Sequence, residues 1–313
     1  MTYASGGLIQ ATDYNTLAWT NPAIGGQFGV GTGNHGIGQS TAGITLPSNG
    51  VTIGGVVTAV QWNALISAIN SCLRHEGQAP ITPASVVSGN LVTYYNSIAT
   101  GSATAYNNSG NTGLSLSDGV ANTSTYNSTW GISGSRSLVF TRTVTFASGD
   151  AARYFFNAGG KIKVSFAKSG GSATTRNSEW ATLASNCGVI NFGYANTTKV
   201  GGGGATPTTL RNANNGGYWA GTGAYVEHFR QLDNVGTYSN NYIKIEYFWS
   251  GTAANGGYPV LNIKTTWVNA WTNSWQDSVD GSTSTSLVIS SPATTYITNT
   301  WGTPTVNGSV AAV

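Results

Sequence analysis

The chain has 313 residues, of which 40% are hydrophobic and only 7% are Asp, Glu, Lys or Arg, where soluble domains average about 25% charged residues. The hydrophobic content is enough for a core and excludes a wholly disordered chain. A net charge of +3 from 13 basic residues is too small and too scattered to indicate a nucleic-acid partner. With 43 glycines and few charges, the surface must consist largely of Ser, Thr, Asn, Gln and Gly, which is more typical of permanent assemblies than of enzymes.

Targeting and covalent features are sparse. The first 15 residues lack the basic and apolar regions of a secretory signal. No stretch approaches the roughly 18 apolar residues of a membrane span, so we expect folding in a cytoplasm and no membrane partner. Cys72 and Cys187 are the only cysteines; they could form one disulfide, but two small buried side chains are the favoured interpretation. Neither lies in a CxxC motif or at a metal-ligand spacing, so we expect no metal and no cofactor.

An N-terminal element at 6–17 recurs without a gap at 54–65, with the glycines, Ala, Asn and Leu identical. In the second copy, Thr58 and Gln61 predict a capping box at the start of a helix. The apolar side chains that follow at helical spacing predict a buried face, against a partner or against the body of the subunit: Trp62, Leu65, Ile66 and Ile69. The first copy predicts a turn or two of helix.

The segment 25–40 between the two copies is glycine-rich and is interpreted as an extended loop. Its GxGxxG-like spacing has no strong strand before it and no helix after it, which argues against a dinucleotide site. We assign residues 1–85 to an N-terminal anchoring segment with one clear helix, and residues 86–313 to a β-sandwich domain.

The second region alternates apolar and polar residues over many short runs, which predicts a mainly β, antiparallel, jelly-roll-like sandwich. Two of the runs are expected to form a central hairpin that turns at 157–160, and residues 178–186 fit a short helix. The predicted strands are Ser137–Phe146, Arg153–Phe156, Lys161–Ala167, Gly188–Tyr194, Tyr225–Gln231, Tyr242–Ser250, Pro259–Trp267 and Ser286–Ser290.

Catalytic patterns are weak. The sequence contains no GxSxG, HExxH or P-loop motif, and His228 is interpreted as a half-buried strand residue. Asp277 and Asp280 could serve as a glycosidase pair, but their position before Gly281 favours a turn. We therefore expect no enzyme activity, with a depolymerase as a minor alternative.

Tryptophans are concentrated near the C-terminal end. Trp267, Trp271 and Trp275 are spaced four apart, with Asn and Thr between them. Exposed indoles could stack on sugar rings, so these three residues are a candidate glycan-binding set. Packing in the core or at a subunit interface is the favoured alternative.

Several stretches resemble virion structural proteins of tailed bacteriophages, notably those that infect cyanobacteria. They are the repeated element, the glycine-rich loop that ends at Gln39, the helix 62–77, the run 153–180 and Thr294–Pro304. The resemblance implies a component of the tail, baseplate, neck or fibres, and it carries no catalytic residue.

The resulting expectation is a non-enzymatic virion protein, assembled in the host cytoplasm. Its N-terminal segment would dock onto other virion proteins, while the β-domain projects or packs laterally. Low charge and abundant glycine favour a homo-oligomer, with a trimer as one arrangement. The alternatives are a host-surface adhesin that uses the C-terminal tryptophans, and a capsid-decorating protein.

Overall fold

The computed structural model describes residues 11–15, 52, 54–75, 78–82, 85–87, 91–109, 115–132, 136–193, 196–211, 223–234, 236–253, 257–271, 278–294 and 299–313. The chain divides into two compact units. The first comprises residues 1–115 and 292–300, and the second comprises residues 116–291 and 301–313. The division therefore falls near residue 115 and not at residue 85, because a helix that the sequence did not predict belongs to the first unit. The glycine-rich loop 25–40 lies outside the described residues.

The first unit contains three described helices: α1 (Ala11–Asn15), α2 (Ala59–His75) and α3 (Leu91–Ser109). The predicted capping box is present at the start of α2. The Thr58 amide donates to Gln61 Oε1 at 2.7 Å, and the Gln61 amide donates to Thr58 Oγ1 at 3.3 Å. These reciprocal bonds satisfy backbone donors that a free helix end would leave unpaired.

Helix α3 was missed because its sequence is rich in Thr, Ser, Asn and Gly, which are poor helix formers. Tertiary packing explains its position. Tyr95 packs edge-on against Trp62 of α2 at 6.3 Å, and Ile98 is fully buried. A Cβ on Gly101 would lie 2.5 Å from Ile81 Cγ1, so only glycine permits this close approach.

The second unit consists of two antiparallel sheets. Its strands are β1 (Leu116–Asp118), β2 (Asn122–Tyr126), β3 (Ser137–Thr145), β4 (Lys161–Ser169), β5 (Val189–Phe192), β6 (Thr197–Val200), β7 (Thr209–Leu210), β8 (Val226–Leu232), β9 (Tyr242–Ser250), β10 (Val260–Val268), β11 (Ser282–Pro292) and β12 (Thr305–Ala312). The first sheet has the order β1-β11-β4-β5-β6, with β2 also paired to β11. The second sheet has the order β12-β3-β10-β9-β8-β7.

The apolar faces of the two sheets pack against each other, which confirms the predicted antiparallel sandwich. Phe166 on β4 stacks on Phe229 on β8, with ring centroids 6.2 Å apart. The Arg142 side chain on β3 crosses the interior, where its Nη2 donates to the Thr285 carbonyl of β11 at 2.9 Å. Alternation therefore predicted the core faces correctly in the long strands, because every second residue of a strand points to the same side.

The predicted strand Arg153–Phe156 is wrong. Residues Gly149–Asn157 form a helix, α4, that begins at Ser148, whose Oγ accepts a hydrogen bond from the Ala151 amide at 3.0 Å. Phe155 packs against Phe146 at 5.3 Å. The central hairpin predicted around 157–160 is therefore a helix-to-strand turn, in which Gly159 takes a φ of +94° that glycine adopts readily.

The predicted short helix is present as α5 (Thr175–Cys187), and it begins with Thr174 as its N-cap. Its Trp180 packs against Trp130, with ring centroids 5.0 Å apart. Cys187 at its end is a buried free thiol, and burial raises its pKa to about 12. The side chain of Cys72 lies outside the described residues.

Candidate functional site

The four apolar residues predicted on helix α2 form the core of the first unit. Trp62, Leu65, Ile66 and Ile69 each have no exposed surface, and Tyr14 packs edge-on against Trp62 at 5.2 Å. Of the two predicted environments, these residues therefore occupy the body of their own subunit. They are unavailable to bind a second protein unless the unit unfolds.

Exposed apolar side chains of the first unit lie elsewhere. Val56, Val60 and Val87 are 82%, 78% and 62% exposed. The segment that carries Val87 is fixed to α2 by Asn63, whose Nδ2 donates to the Val86 carbonyl at 3.1 Å and whose Oδ1 accepts from the Val86 amide at 2.7 Å. Val87 therefore projects from a segment that is hydrogen-bonded to α2. Val56, Val60 and Val87 are the candidate docking residues of this unit.

The predicted glycan-binding tryptophans do not form a common exposed surface. Trp267 has no exposed area and packs against Trp180 at 5.5 Å. Trp271 is half-buried and lies edge-on to Tyr238 at 5.7 Å. Trp275 lies outside the described residues. The glycan-binding assignment is therefore wrong for Trp267, because alternation from Ile263 along β10 directs it into the core.

Asp280 has a structural role. Its carboxylate accepts hydrogen bonds from the amide and the hydroxyl of Ser172 at 3.0 and 2.5 Å, and also from Asn177 Nδ2. These hydrogen bonds stabilise the charged form and lower the pKa of Asp280 to about 2. The carboxylate thus joins the loop before β11 to the start of α5. Asp277, the other half of the predicted pair, lies outside the described residues.

A carboxylate pair that the sequence did not reveal lies between α5 and the loop after β8. Glu179 accepts hydrogen bonds from the backbone amides of Thr237 and Tyr238 at 3.1 and 3.0 Å. Asp233 is 3% exposed; burial, and then the neighbouring charge of Glu179, raise its pKa to about 6. The two acids are 54 positions apart in sequence, so no local spacing could have indicated them.

His228 is more buried than the sequence suggested. It has no exposed area, and its ring stacks on that of Tyr247 at 3.5 Å. Burial, and then the charge of Arg211, lower its pKa to about 3. The imidazole is therefore neutral over the physiological range and serves as a core side chain.

The outer faces of the sandwich carry rows of hydroxyl and amide groups. On the second sheet, Thr141 and Ser309 lie opposite each other, with their hydroxyl oxygens 2.8 Å apart. On the first sheet, Thr123 and Ser286 are paired in the same way at 2.6 Å. Cross-strand pairs of this type stabilise a sheet without charge. They explain how a chain with so few ionisable residues covers its strands.

Charged groups on the second sheet are concentrated at one place. Glu246 lies between Lys244 and Lys264, with carboxylate-to-ammonium distances of 3.0 and 2.9 Å. The Lys264 ammonium also lies over the ring of Tyr225, 4.4 Å from its centroid. The two lysines share one carboxylate, so the cluster carries a net charge of +1.

The described residues offer neither a metal-binding cluster nor a membrane-spanning helix. Among the described residues, no group of three or more His, Cys, Asp or Glu side chains is placed to hold a metal ion. No helix in the described part of the chain is long and apolar enough to cross a membrane.

No family model matches the chain, and no match was found among the curated proteins or the solved structures.

Proposed function

We propose that this chain is a non-enzymatic structural component of a tailed-phage virion. Its helical first unit docks onto other virion proteins, and its β-sandwich projects from the particle or packs laterally. The observation that carries the proposal is the chemistry of the outer faces, where neutral hydroxyl and amide pairs such as Thr141–Ser309 cover the strands. The resemblance described above supports the same role.

Neutral polar faces suit permanent burial against a neighbour. Moving a charged side chain out of water costs several kcal/mol unless it is paired. A hydroxyl or amide that exchanges water for a protein partner costs far less. A sheet face covered by Ser, Thr and Asn can therefore be enclosed in an assembly without matching each charge to a counter-charge.

The exposed valines of the first unit support docking through that unit. Val60 lies on the outer side of α2, and Val56 precedes the helix. Each exposes more than three quarters of its surface, while Asn96 and Thr100, polar residues with the same four-residue spacing, are exposed on α3. Single exposed apolar residues are common on soluble proteins, so the test must separate the valines from the rest of the surface.

The experiment compares two variants during particle assembly. We expect Val56→Lys with Val60→Lys to fold with a stability within about 0.5 kcal/mol of wild type, since both residues are exposed. Its incorporation into gradient-purified particles, measured by quantitative mass spectrometry, should fall at least tenfold. Asn96→Lys with Thr100→Lys, the control on α3 with the same spacing and the same added charge, should incorporate normally.

Two results would contradict the proposal. One is a wild-type chain that is absent from purified particles. The other is a folded valine variant that incorporates as well as the Asn96→Lys, Thr100→Lys control. A substitution at Leu65 or Ile69 would not be informative, because both are core residues and their replacement by Asp would unfold the helical unit.

A further inference from the structure

Strand β12 forms one edge of the second sheet and pairs only with β3 among the described strands. Val313 and Ser137 exchange both backbone hydrogen bonds at 2.8 Å, which fixes the phase of the ladder. In an antiparallel pair, alternate residues direct their N–H and C=O groups to the partner strand. The odd-numbered residues of β12 therefore face β3, and Val306, Gly308 and Val310 present their backbone groups at the edge.

The sequence of this edge strand carries none of the features that usually block pairing, although β2 of the first sheet lies close to β12. Natural proteins block exposed edges with charged side chains, prolines, bulges or very short strands. The eight residues Thr305–Ala312 contain no charged residue and no proline, and their register with β3 is continuous. The side chains of Asn307 and Ser309 are exposed.

The edge sequence is nearly symmetric about Gly308. In an antiparallel copy that continues the sheet, the inner face of the copy stays on the inner side. Because side chains alternate between the two faces, even-numbered residues must then lie opposite even-numbered residues, and odd-numbered opposite odd-numbered. When Gly308 faces Gly308 of the copy, Val306 faces Val310 and Asn307 faces Ser309. The half-buried valines then meet on the inner face, and an amide meets a hydroxyl on the outer face, where such cross-strand pairs are stabilising.

We propose that two copies of this chain associate through β12, antiparallel and in the register that centres on Gly308. The contact joins the second sheets of both subunits into one continuous sheet and adds about six backbone hydrogen bonds at the outward-facing residues. Its two-fold symmetry is closed by construction. It therefore differs from the trimer that the sequence suggested, and it goes beyond docking through the first unit.

The glycine itself is required within the subunit. A Cβ on Gly308 would lie 2.6 Å from Arg142 Cδ and 2.7 Å from the Thr141 carbonyl oxygen. Pairing therefore depends on the residues that flank Gly308 and on the outward-facing backbone groups of β12, and Gly308 should be left unchanged in any test.

The test uses two variants that differ at one residue. In the proposed register, Asn307→Lys with Ser309→Lys places ammonium groups opposite each other twice. Asn307→Lys with Ser309→Asp places a Lys opposite an Asp at the same two positions. Like charges directly opposite destabilise a strand pair and opposite charges stabilise it. We expect the double-Lys variant to have a dimer dissociation constant at least tenfold above that of the Lys/Asp variant.

Sedimentation equilibrium over a range of concentrations measures the result on the full chain. Wild type and the Lys/Asp variant should reach twice the chain mass of 32.3 kDa, while the double-Lys variant stays at the single mass. A wild type that remains at the single chain mass overturns the proposal, as does a mass that is the same for both variants. In a register centred on residue 307, the Lys/Asp variant would place Lys opposite Lys, and in one centred on residue 309 it would place Asp opposite Asp. A monomeric Lys/Asp variant therefore overturns the register centred on Gly308.

Hydrogen exchange on the wild type provides a measurement that needs no substitution. In the isolated subunit, the amides of Val306, Gly308 and Val310 face solvent and should exchange rapidly. In the dimer they are hydrogen-bonded, so their exchange should slow at least tenfold as the protein concentration rises. Concentration-independent exchange in a peptide that covers 306–310 would refute the contact even if a variant failed to fold.

Discussion

The carboxyl of Asp233 should make the β-sandwich unit less stable as the pH rises. Asp233 is 3% exposed, and burial together with Glu179 raises its pKa from 3.8 to about 6. The folded state therefore binds this proton more tightly than the unfolded state does. The destabilisation is absent below a pH of about 4, grows as the pH rises, and is complete above about 6.

The magnitude follows from the size of the shift. The pKa rises by about two units, and each unit corresponds to about 1.4 kcal/mol, so ionisation of Asp233 costs the folded state about 3 kcal/mol. Asp233→Asn carries no charge at any pH and avoids this cost. Relative to wild type, the free energy of unfolding of Asp233→Asn should increase by up to about 3 kcal/mol between pH 4 and pH 8.

Urea unfolding, followed by tryptophan fluorescence at pH steps from 4 to 8, measures this difference. All other titrating groups are common to both proteins and cancel in the comparison. Glu179→Gln is a useful third protein: it removes the neighbouring negative charge and so lowers the pKa of Asp233 in the folded state. The destabilisation should still begin near pH 4, but it should be smaller and should be complete at a lower pH than in wild type. Parallel pH profiles for wild type and Asp233→Asn would refute this account of the carboxyl.

Two further pairs of substitutions test the corrected assignments. Trp267→Ala should lower the free energy of unfolding by about 3–5 kcal/mol, because it empties a buried site between aromatic rings. Trp271→Ala should lower it by less, since Trp271 is half-buried. Chemical denaturation of both proteins measures the contrast, and equal losses would contradict the burial of Trp267. Ser148→Ala removes the acceptor for the Ala151 amide and should cost about 1 kcal/mol. Ser148→Asp, which keeps an acceptor at the helix start, should restore most of that stability, and failure to do so would argue against the cap.

The parts of the fold that were predictable from sequence are those set by local patterns. Residues 243–247 alternate between apolar and charged side chains. The predicted strand 242–250 has the bounds of β9, along which burial alternates throughout. Thr58 and Gln61 are three residues apart, so their reciprocal hydrogen bonds could be expected before any packing was known. Residues 178–186 lie within α5, whose boundaries extend a little further at both ends.

The parts that were missed depend on contacts between distant residues. Arg153–Phe156 contains three consecutive aromatics, which favour a strand by propensity. It is helical because Ser148 caps the helix and because Phe155 and Phe156 fit against Phe146. The tryptophan spacing of four suggested a common face, but the two-residue repeat of β10 decides where Trp267 points. The Glu179–Asp233 pair has no sequence signal at all.

The neutral outer faces have a consequence for behaviour in salt. At about 0.1 M ionic strength, charges more than about 10 Å apart are already screened, and stronger brine shortens this range further. Contacts made by Thr141, Ser309, Thr123 and Ser286 involve no ions, so screening leaves them largely unchanged. A surface of this kind keeps its cohesion when it passes between dilute and concentrated media, whereas a surface held by ion pairs would weaken as the salt concentration rises.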